Sequence, residues 1–408
     1  MSICPEHSTQ AVHNRPKYEL ADILKRYLPE YRKGHRLSLW QEKILYDIQV
    51  CRTAGCGAHV EVCSHCNYKQ PAYNSCHNRH CPKCQGIIRR KWVAARLNEL
   101  LPVPYYHIVF TLPHRLNKLA LYNKNLIYNL FYHAAAYTLT KFGFDKKYLG
   151  AQLGYIGVLH TWGKGLCYHI HWHFIVPGGG LTKDGHWRDL PSSDKFIFPS
   201  GAMSKVIRAR FIKLFRKEYN NNEIDLPDSY EYLSDPVMFE YFLNELSYDN
   251  WYNYAKRPFG GPEQVVKYIG RYTHRVAISN NRLIDITNGK IVLSVKNYKK
   301  GGINEETELT AEEFIRRFLL HILPSGFHKI RYGGFLARSV YNEKIEQARS
   351  FLNTQEIACD LMKTESDPTN SDDNVNERCP KCHIGIMRTL DIDTESKRRN
   401  WHAYIGCS

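Results

Sequence analysis

The clearest strand pattern in the chain lies in residues 167–176, which read CYHIHWHFIV. Three histidines occupy alternate positions there, each followed by a large apolar residue. Because successive side chains of a strand point to opposite faces, His169, His171 and His173 share one face and the residues between them bury the other. Imidazoles two positions apart are separated by about 7 Å, so an adjacent pair can converge on one metal ion. The stretch therefore predicts an amphipathic strand with a metal-binding face.

A second informative stretch occupies residues 261–275 and reads GPEQVVKYIGRYTHR. Pro262 suits the first turn of a helix, and the residues after it can form about three turns. Positions four apart on such a helix form two neighbouring stripes, one of Gln264, Tyr268 and Tyr272 and one of Lys267, Arg271 and Arg275. Paired tyrosines beside paired cations suit phosphodiester chemistry. The alternative is an amphipathic helix whose tyrosines belong to the core.

Together the two stretches resemble the HUH superfamily of single-strand nucleases, and more closely its rolling-circle insertion-sequence transposases that carry two tyrosines. Further segments are similar to that family in its order, namely CHNRHCPKCQ at 76–85, FTLPH at 110–114, VLHTWG at 158–163, VPGGG at 176–180 and YIGRYTHRVAIS at 268–279. The resemblance covers roughly residues 16–350. It implies an α+β fold, in which an HUH-type antiparallel sheet is flanked by helices and preceded by an N-terminal zinc-binding module.

The resemblance also implies roles for individual residues. Tyr268 and Tyr272 are the expected nucleophiles, with Tyr272 as first choice if only one is essential. In the family the two metal-binding histidines immediately precede a short apolar run, and that register selects His171 and His173. The expected ion is Mg²⁺ or Mn²⁺, because imidazole ligands suit manganese while phosphate oxygens and a single amide oxygen admit magnesium.

Further ligands and contacts are less constrained. His169 and Gln264 are candidate additional ligands, with His274 as a competitor. The residues expected to contact DNA phosphates are Lys267, Arg271 and Arg275. A hairpin turn at residues 163–165 brings His160 near the metal face, where ligation, hydrogen bonding and DNA contact all stay open. His107 is expected to be a packed strand residue rather than a ligand.

Composition points to a polyanionic partner. The formal charge is +16, and aromatic residues make up 13% of the chain. Cations that follow phosphates and rings that stack on bases suit single-stranded nucleic acid. Composition alone does not identify the nucleic acid, since a ribosome-associated or tRNA-binding protein would have similar statistics. The family resemblance implies single-stranded DNA at transposon ends that form hairpins, together with target DNA, as partners. The sequence contains no long apolar run and no signal-peptide pattern, so we expect a soluble protein that is not exported and not bound to a membrane. The family resemblance implies a prokaryotic protein of the cytoplasm that is associated with the nucleoid.

Thirteen cysteines are clustered in short motifs, which in a chain with no export signal indicates reduced, metal-bound thiols. Two Cys-x2-Cys motifs, starting at Cys63 and Cys81, have the separation of a zinc ribbon or treble clef, where four thiolates complete a tetrahedron. One or two Zn²⁺ ions are therefore expected in the N-terminal module. The candidate ligands are Cys51, His59, Cys63, Cys66, Cys76, His80, Cys81 and Cys84. Those outside the two motifs could form a second tetrahedron, with the pairing left open.

Basic residues in and after the second motif suggest that this module binds DNA. Arg79 and Lys83 would contribute if exposed, followed by the run Arg89–Lys91. A further knuckle, Cys379-x2-Cys382, lies near the C-terminus. Cys407 could assist it, but the sequence offers no obvious fourth ligand.

Apolar spacing predicts helices over residues 18–31, 39–50 and 86–101, and strands over 105–112 and 153–162. Three domains follow from these segments and from the acidic, Ser/Asn-rich run at 364–377. We expect a helical, zinc-binding and DNA-binding module at 1–101, an HUH nuclease domain at 102–355, and a flexible acidic linker with a cysteine-containing tail at 356–408.

Two other functions compete with the transposase prediction. A zinc-ribbon nucleic-acid-binding protein without catalytic activity would use the histidines and tyrosines for packing, and would form no covalent adduct with DNA. An HUH replication initiator or relaxase would share the chemistry. The extent of the transposase-like motifs, and the lack of a helicase-like stretch, favour the transposase.

Overall fold

The computed structural model describes residues 16–190, 198–256, 264, 266–267, 270, 273, 276–297, 303–352 and 378–389. Its α-helices are α1 Leu20–Gly34, α2 Leu39–Val50, α3 Pro82–Leu97, α4 Asn117–Tyr122, α5 Lys124–Phe144, α6 Ser200–Asn220, α7 Pro236–Tyr248, α8 Ala311–Leu320 and α9 Tyr341–Phe351. Within these described ranges, no helix is both long enough and apolar enough to cross a bilayer.

The strands are short and lie between the helices. In chain order they are β1 Ala58–Cys63, β2 Lys69–Tyr73, β3 Tyr105–Thr111, β4 Gln152–Trp162, β5 Tyr168–Pro177, β6 Gly179–Leu181, β7 Trp187–Asp189, β8 Asn253–Lys256, β9 Leu283–Thr287, β10 Lys290–Asn297, β11 Ile303–Thr310, β12 Ile330–Gly334 and β13 Met387–Thr389.

A seven-stranded sheet occupies the centre of the molecule. Its strand order is β7-β6-β4-β5-β3-β8, and β12 also pairs with β4. Every one of these pairings is antiparallel. Together with the flanking helices, this sheet confirms the expected α+β fold. The central strands β4 and β5 are the longest of the sheet, so they provide a rigid platform for the side chains that extend from them.

The two faces of this sheet are buried against different helices. Phe110, Trp172 and Phe174 extend from one face into a large aromatic core, which they share with residues of α5, α6 and α7. On the other face, Val158 and Ile175 pack with Phe335 and with residues of α9. Because side chains alternate along each strand, the histidines of β5 extend from this second face.

The N-terminal helices do not form a separate core. Apolar residues of α1 and α2, such as Leu24 and Ile44, are fully buried in one cluster with Ile291 of β10 and Phe314 of α8. The boundary expected after residue 101 therefore does not divide the hydrophobic cores. The apolar stripes of α1 and α2 are covered by the sheet β11-β10-β9 and by α8, which come from the second half of the chain.

A third sheet connects the two ends of the described chain. It has the order β13-β1-β2, and both of its pairings are antiparallel. Glu61 of β1 lies opposite Gln70 of β2 and Thr389 of β13. The segment 378–389, which we expected to belong to a separate tail, is therefore part of the sheet of the N-terminal module.

Candidate metal centres

Three imidazoles meet on the second face of the central sheet. His160, His171 and His173 each offer a ring nitrogen, and these nitrogens lie within 4.8 Å of one another. The ring centroids are 4.2 Å apart for His160 and His173, and 4.7 Å apart for His171 and His173. Three imidazoles at such spacing can bind one divalent cation and leave further positions open.

Strand register explains why these histidines converge. On β5 the residues alternate between buried and half-buried from Tyr168 to His173, as the sequence predicted. The pairing of β4 with β5 places His160 directly opposite His171. His160 is therefore the residue whose role the sequence left open and which the structure brings to the site. The turn at 163–165 indicated that His160 lies near this face, but its pairing with His171 depends on a register irregularity between His160 and Trp162 that the sequence does not show.

The predicted ligand His169 is not part of this group. Its ring lies 5.0 Å from the ring of His171 and stacks on His114 at a centroid distance of 5.2 Å. The backbone carbonyl of His169 nevertheless contributes, because it accepts a hydrogen bond of 2.9 Å from Nδ1 of His171. A carbonyl can only accept, so Nδ1 of His171 carries the proton and Nε2 keeps its lone pair for a metal ion.

His173 is held in a similar way by a fourth histidine. Nε2 of His107, on β3, lies 2.7 Å from Nδ1 of His173, and the two rings are nearly parallel. If Nε2 of His173 binds a metal ion, Nδ1 must carry the proton and donate it to His107. His107 is 9% exposed and packed in its strand, as expected, and it also orients a candidate ligand.

Burial keeps the imidazoles of His107, His171 and His173 neutral. It lowers the pKa of His171 to about 3 and the pKa of His107 to about 4. Burial, reinforced by the neighbouring imidazoles of His160 and His171, also holds the pKa of His173 well below its usual value. Neutral imidazole is the form that binds a metal ion, so the site is ready for a cation at neutral pH.

The predicted tyrosine helix is described only in part. Gln264, Lys267 and Thr273 have helical backbone, and Gln264 and Lys267 are exposed. A Cβ atom on Gly270 would come within 2.2 Å of a methyl group of Val93, so Gly270 itself lies close against α3. The sequence predictions for Tyr268, Tyr272, Arg271, Arg275 and His274 lie outside the described residues. The roles given to Gln264 and Lys267 stay predictions.

Four cysteines form a cluster in the core beside α1 and α2. Cys51 follows α2, and Cys81 and Cys84 lie at the start of α3, where Cys76 joins them. The sulfur of Cys84 is 3.5 Å from that of Cys51 and 3.6 Å from that of Cys76. These neighbouring thiols hold the pKa of Cys84 well below its usual range and raise that of Cys81. Four thiolates this close fit Zn²⁺, whose charge offsets their mutual repulsion.

The two Cys-x2-Cys motifs of the N-terminal module belong to different clusters. Cys63 and Cys66 do not share a site with Cys81 and Cys84, because they lie in a second cluster with Cys379 and Cys382. Spacing within a Cys-x2-Cys motif is local, whereas the choice of partner depends on which segments the tertiary fold brings together. Each of the two cysteine clusters in the described part of the chain consists of four cysteines, and neither of these two clusters includes a histidine.

The two histidines proposed as zinc ligands have other partners. His80 is fully buried, and its Nε2 accepts a hydrogen bond of 3.1 Å from the amide of Leu323 while Nδ1 contacts Asn78 at 3.0 Å. Both ring nitrogens are thus occupied, and burial lowers the pKa of His80 to about 3. His59 lies 2.7 Å from the side-chain oxygen of Asn74.

Two cations proposed as DNA contacts are structural instead. The guanidinium of Arg79 donates to the carbonyl oxygens of Pro324, at 2.7 Å, and Phe327. The ammonium group of Lys83 forms a 2.8 Å ion pair with Glu19 and is largely shielded from solvent. Both side chains therefore fasten the cysteine cluster to neighbouring segments.

Two segments of the chain match known protein families, and most of its length is similar to a known protein. Residues 154–344 match the family model Y2_Tnp, described as "Putative transposase", and residues 23–112 match the IS91-type transposase zinc-binding domain. The chain is 40% identical over 380 residues to "Putative transposase y4qJ" of Sinorhizobium fredii, which covers 92% of this chain and 95% of that protein.

A second relative is more distant. The transposase for insertion sequence element IS801 of Pseudomonas savastanoi pv. phaseolicola is 29% identical over 300 residues, which covers 72% of this chain and 68% of that protein. No solved structure matches the chain.

Proposed function

The chain belongs to the IS91 family of transposases, and we propose that it nicks and rejoins single-stranded DNA through 5′-phosphotyrosine intermediates during rolling-circle transposition. The observation that carries this proposal is the convergence of His160, His171 and His173 on one face of the central sheet. A site of neutral imidazoles on a rigid strand pair is suited to hold a cation against a phosphodiester.

The donor atoms favour one of the two expected ions. Mg²⁺ prefers oxygen ligands in octahedral geometry, whereas Mn²⁺ accepts imidazole readily. With three nitrogen donors in place, we propose Mn²⁺ as the ion that supports activity best, and Mg²⁺ as a weaker substitute. His160, His171 and His173 would hold the divalent cation, which would supply Lewis-acid polarisation of the scissile phosphate. For Zn²⁺ bound by Cys51, Cys76, Cys81 and Cys84 we propose a structural role.

The proposed nucleophiles are Tyr268 and Tyr272. A tyrosine Oη forms a bond to phosphorus, the bond from phosphorus to the 3′ oxygen breaks, and the released 3′ oxygen takes up the proton that the phenol loses. A phenol has an ordinary pKa near 10, so it needs nearby positive charge to attack at neutral pH. We propose Lys267, Arg271 and Arg275 as that charge, along with Gln264 as an additional oxygen ligand.

Two tyrosines allow two strand transfers in one site. The phosphotyrosine bond conserves the energy of the cleaved phosphodiester, so a free 3′-hydroxyl can attack it and rejoin the strand without ATP. One tyrosine can hold the donor end while the other accepts the target strand. The proposed substrates are therefore single-stranded transposon ends that form hairpins, and target DNA. The net charge of +16 is consistent with such polyanionic partners.

The test is formation of a covalent adduct. Full-length protein is incubated with single-stranded DNA carrying the ends of its own element, with Mn²⁺ or with a chelator, and the products are separated on a denaturing gel. We expect an adduct that needs metal and is absent from the Tyr268→Phe, Tyr272→Phe double variant. The two single variants then show which hydroxyl acts first.

Tyr254 provides a matched control because its ring lies 6.2 Å from that of His107, close to the histidine cluster. Tyr254→Phe should still form the adduct. An adduct that persists in the double variant would overturn the assignment of the nucleophiles. Binding of DNA known to contain the ends, with no adduct in any metal, would instead favour a zinc-ribbon protein without catalytic activity.

A further inference from the structure

The second cysteine cluster is built from two motifs with the same backbone geometry. Cys63-x2-Cys66 follows β1, and Cys379-x2-Cys382 precedes β13. The residue after each motif has a left-handed backbone, with φ of 56° at Asn67 and 57° at His383. In each motif the amide of that residue donates to the carbonyl of the first cysteine, at 3.3 Å for Asn67 and 2.9 Å for His383. The two segments are thus equivalent knuckles from opposite ends of the chain.

Backbone amides point at the sulfur atoms of both knuckles. Sγ of Cys63 lies 3.3 Å from the amide nitrogen of His65 and 3.4 Å from that of Cys66. On the other side, Sγ of Cys379 is 3.4 Å from the amide of Lys381, and Sγ of Cys382 is 3.4 Å from the amide of Gly385. Donors aimed at sulfur stabilise the thiolate form, which is the form that binds a metal ion.

The knuckles face each other across a short gap. Sγ of Cys63 is 3.6 Å from Sγ of Cys382, and Sγ of Cys66 is 3.6 Å from Sγ of Cys379. These are too long for disulfide bonds, whose sulfur atoms lie about 2.0 Å apart, and all four atoms lie within 4.8 Å of one another. Four sulfurs at such separations outline a tetrahedron around a single ion.

Backbone hydrogen bonds beside the thiols also join the two segments. The amide of Ser64 donates to the carbonyl of Ile386 at 2.9 Å, and the amide of Ile386 donates to the hydroxyl of Ser64 at 3.0 Å. A Cβ atom on Gly385 would come within 2.4 Å of Sγ of Cys63, so this position needs glycine. Strands β1 and β13 then continue the contact as an antiparallel pair.

We propose that Cys63, Cys66, Cys379 and Cys382 bind one Zn²⁺ ion that fastens the C-terminal segment to the N-terminal module. The site lies outside the two matched family segments on its C-terminal side, since those matches end at residues 112 and 344. It does not depend on the proposed DNA chemistry. In this proposal the ligands that the C-terminal segment lacks are Cys63 and Cys66. Cys63 precedes Cys382 by 319 residues in the chain.

The ion completes a module with very little core of its own. Apart from the cysteines, Met387 is the buried hydrophobic residue of the cluster, and Tyr68 packs against it. Such a small apolar core cannot hold two distant segments together, so metal binding supplies folding free energy that packing does not. Removal of the ion should therefore release the segment around β13 while the central sheet stays folded.

The first test counts zinc in the full-length protein by elemental analysis. We expect the Cys379→Ser, Cys382→Ser double variant to contain one Zn²⁺ fewer per chain than the wild type. The quantity compared is the difference in zinc content between the two proteins, because the histidine site can also bind zinc and so changes the total in both. Cys167→Ser is the matched control, since Cys167 is an exposed thiol outside both four-cysteine clusters, and it should leave the zinc content unchanged. Equal zinc in the double variant and the wild type would overturn the proposal.

A second test uses unmodified protein, so it does not depend on a variant that folds. Iodoacetamide labelling followed by mass spectrometry reports the reactivity of each cysteine. With zinc bound, Cys167 should be labelled quickly while Cys63, Cys66, Cys379 and Cys382 stay protected; chelation should expose all four together. Labelling of Cys379 and Cys382 as fast as Cys167 in the zinc-loaded protein would refute the site. Iron in place of zinc, with the same protection, would refute the identity of the ion.

Discussion

Nε2 of His107 lies 2.7 Å from Nδ1 of His173, and the contact joins β3 to the neighbouring strand β5. Because this contact occupies Nδ1 of His173, Nε2 is the nitrogen left to bind a metal ion together with His160 and His171. Residues that hold a metal-binding histidine through its other nitrogen typically contribute about 10–100-fold to metal affinity. We therefore expect His107→Ala to weaken Mn²⁺ binding by roughly that factor, measured by calorimetric titration.

The conservative variant separates orientation from packing. In His107→Gln the side-chain amide can reach the position of Nε2 and accept the same hydrogen bond, so most of the affinity should return. A merely structural role for His107 predicts the opposite, namely a similar loss of unfolding free energy in both variants with unchanged affinity for Mn²⁺ in the folded protein.

The geometry ranks the candidate ligands. His160 belongs to the three-imidazole group, whereas His169 does not. His160→Ala should therefore weaken Mn²⁺ binding and Mn²⁺-dependent nicking by more than the roughly 10–100-fold expected for a residue that only orients a ligand. His169→Ala keeps the backbone carbonyl that His171 uses, so it should have a much smaller effect. The reverse order in metal titrations would show that His169 is the ligand.

Stability should fall on acidification because His321 is buried in its neutral form. Its Nε2 donates to the carbonyl of Leu166 at 3.0 Å, and burial lowers its pKa to about 4. In the unfolded chain the pKa is about 6.5, so below that pH the unfolded state binds more protons and the folded state loses stability. This residue alone should reduce the unfolding free energy by about 2 kcal/mol between pH 7 and pH 5.

Denaturant titrations at several pH values can isolate that contribution. His321→Gln keeps a donor for Leu166 but has no group that titrates in this range, so its stability should depend less on pH between 6.5 and 4. Lys124, which lies near His321, stays positively charged across this window and cannot account for the difference. An unchanged pH dependence in the variant would contradict the prediction.

The face of β5 opposite its histidines anchors the strand in the aromatic core. Trp172 is fully buried between His171 and His173, with its ring 5.0 Å from that of Tyr132. Trp172→Ala removes a large core side chain and should cost about 3–5 kcal/mol of unfolding free energy. The control Tyr252→Ala changes a side chain that is 66% exposed, so it should cost less than about 0.5 kcal/mol. Urea titration measures both, and equal effects would contradict the assigned packing.

The alternation of apolar residues and histidines in the sequence predicted β5 correctly. The alternation of residues 168–173 depends only on the two-residue period of a strand, and the observed burial follows it. The second helix was predicted with its correct ends, 39–50, whereas the helices before and after it were predicted with shifted ends. The first helix continues through Pro29 to Gly34, and α3 starts at Pro82 rather than near residue 86, because Pro82 fits the first turn that Cys81 initiates.

Contacts between distant segments were not predictable in the same way. His80 has the same residue type and spacing as a zinc ligand, but the amide of Leu323 occupies its Nε2. The core that joins α1 and α2 to Phe314 has no local signature, since any amphipathic helix can pack on any apolar surface. Cys63 likewise carries no mark that selects Cys382 over Cys84 as its neighbour.

The pairing of β1 with β13 has a consequence for the order of synthesis. A ribosome that has just made Cys63 must add 319 residues before Cys382 exists, which takes roughly 15–60 s at typical rates of elongation. Throughout that interval β1 has one open edge and can pair with a strand of another nascent chain. Any copy of the gene interrupted by a stop codon before position 379 would give a protein that keeps this edge permanently. Truncation of the gene from its 3′ end should therefore give aggregation-prone chains even when every residue of β5 is still present.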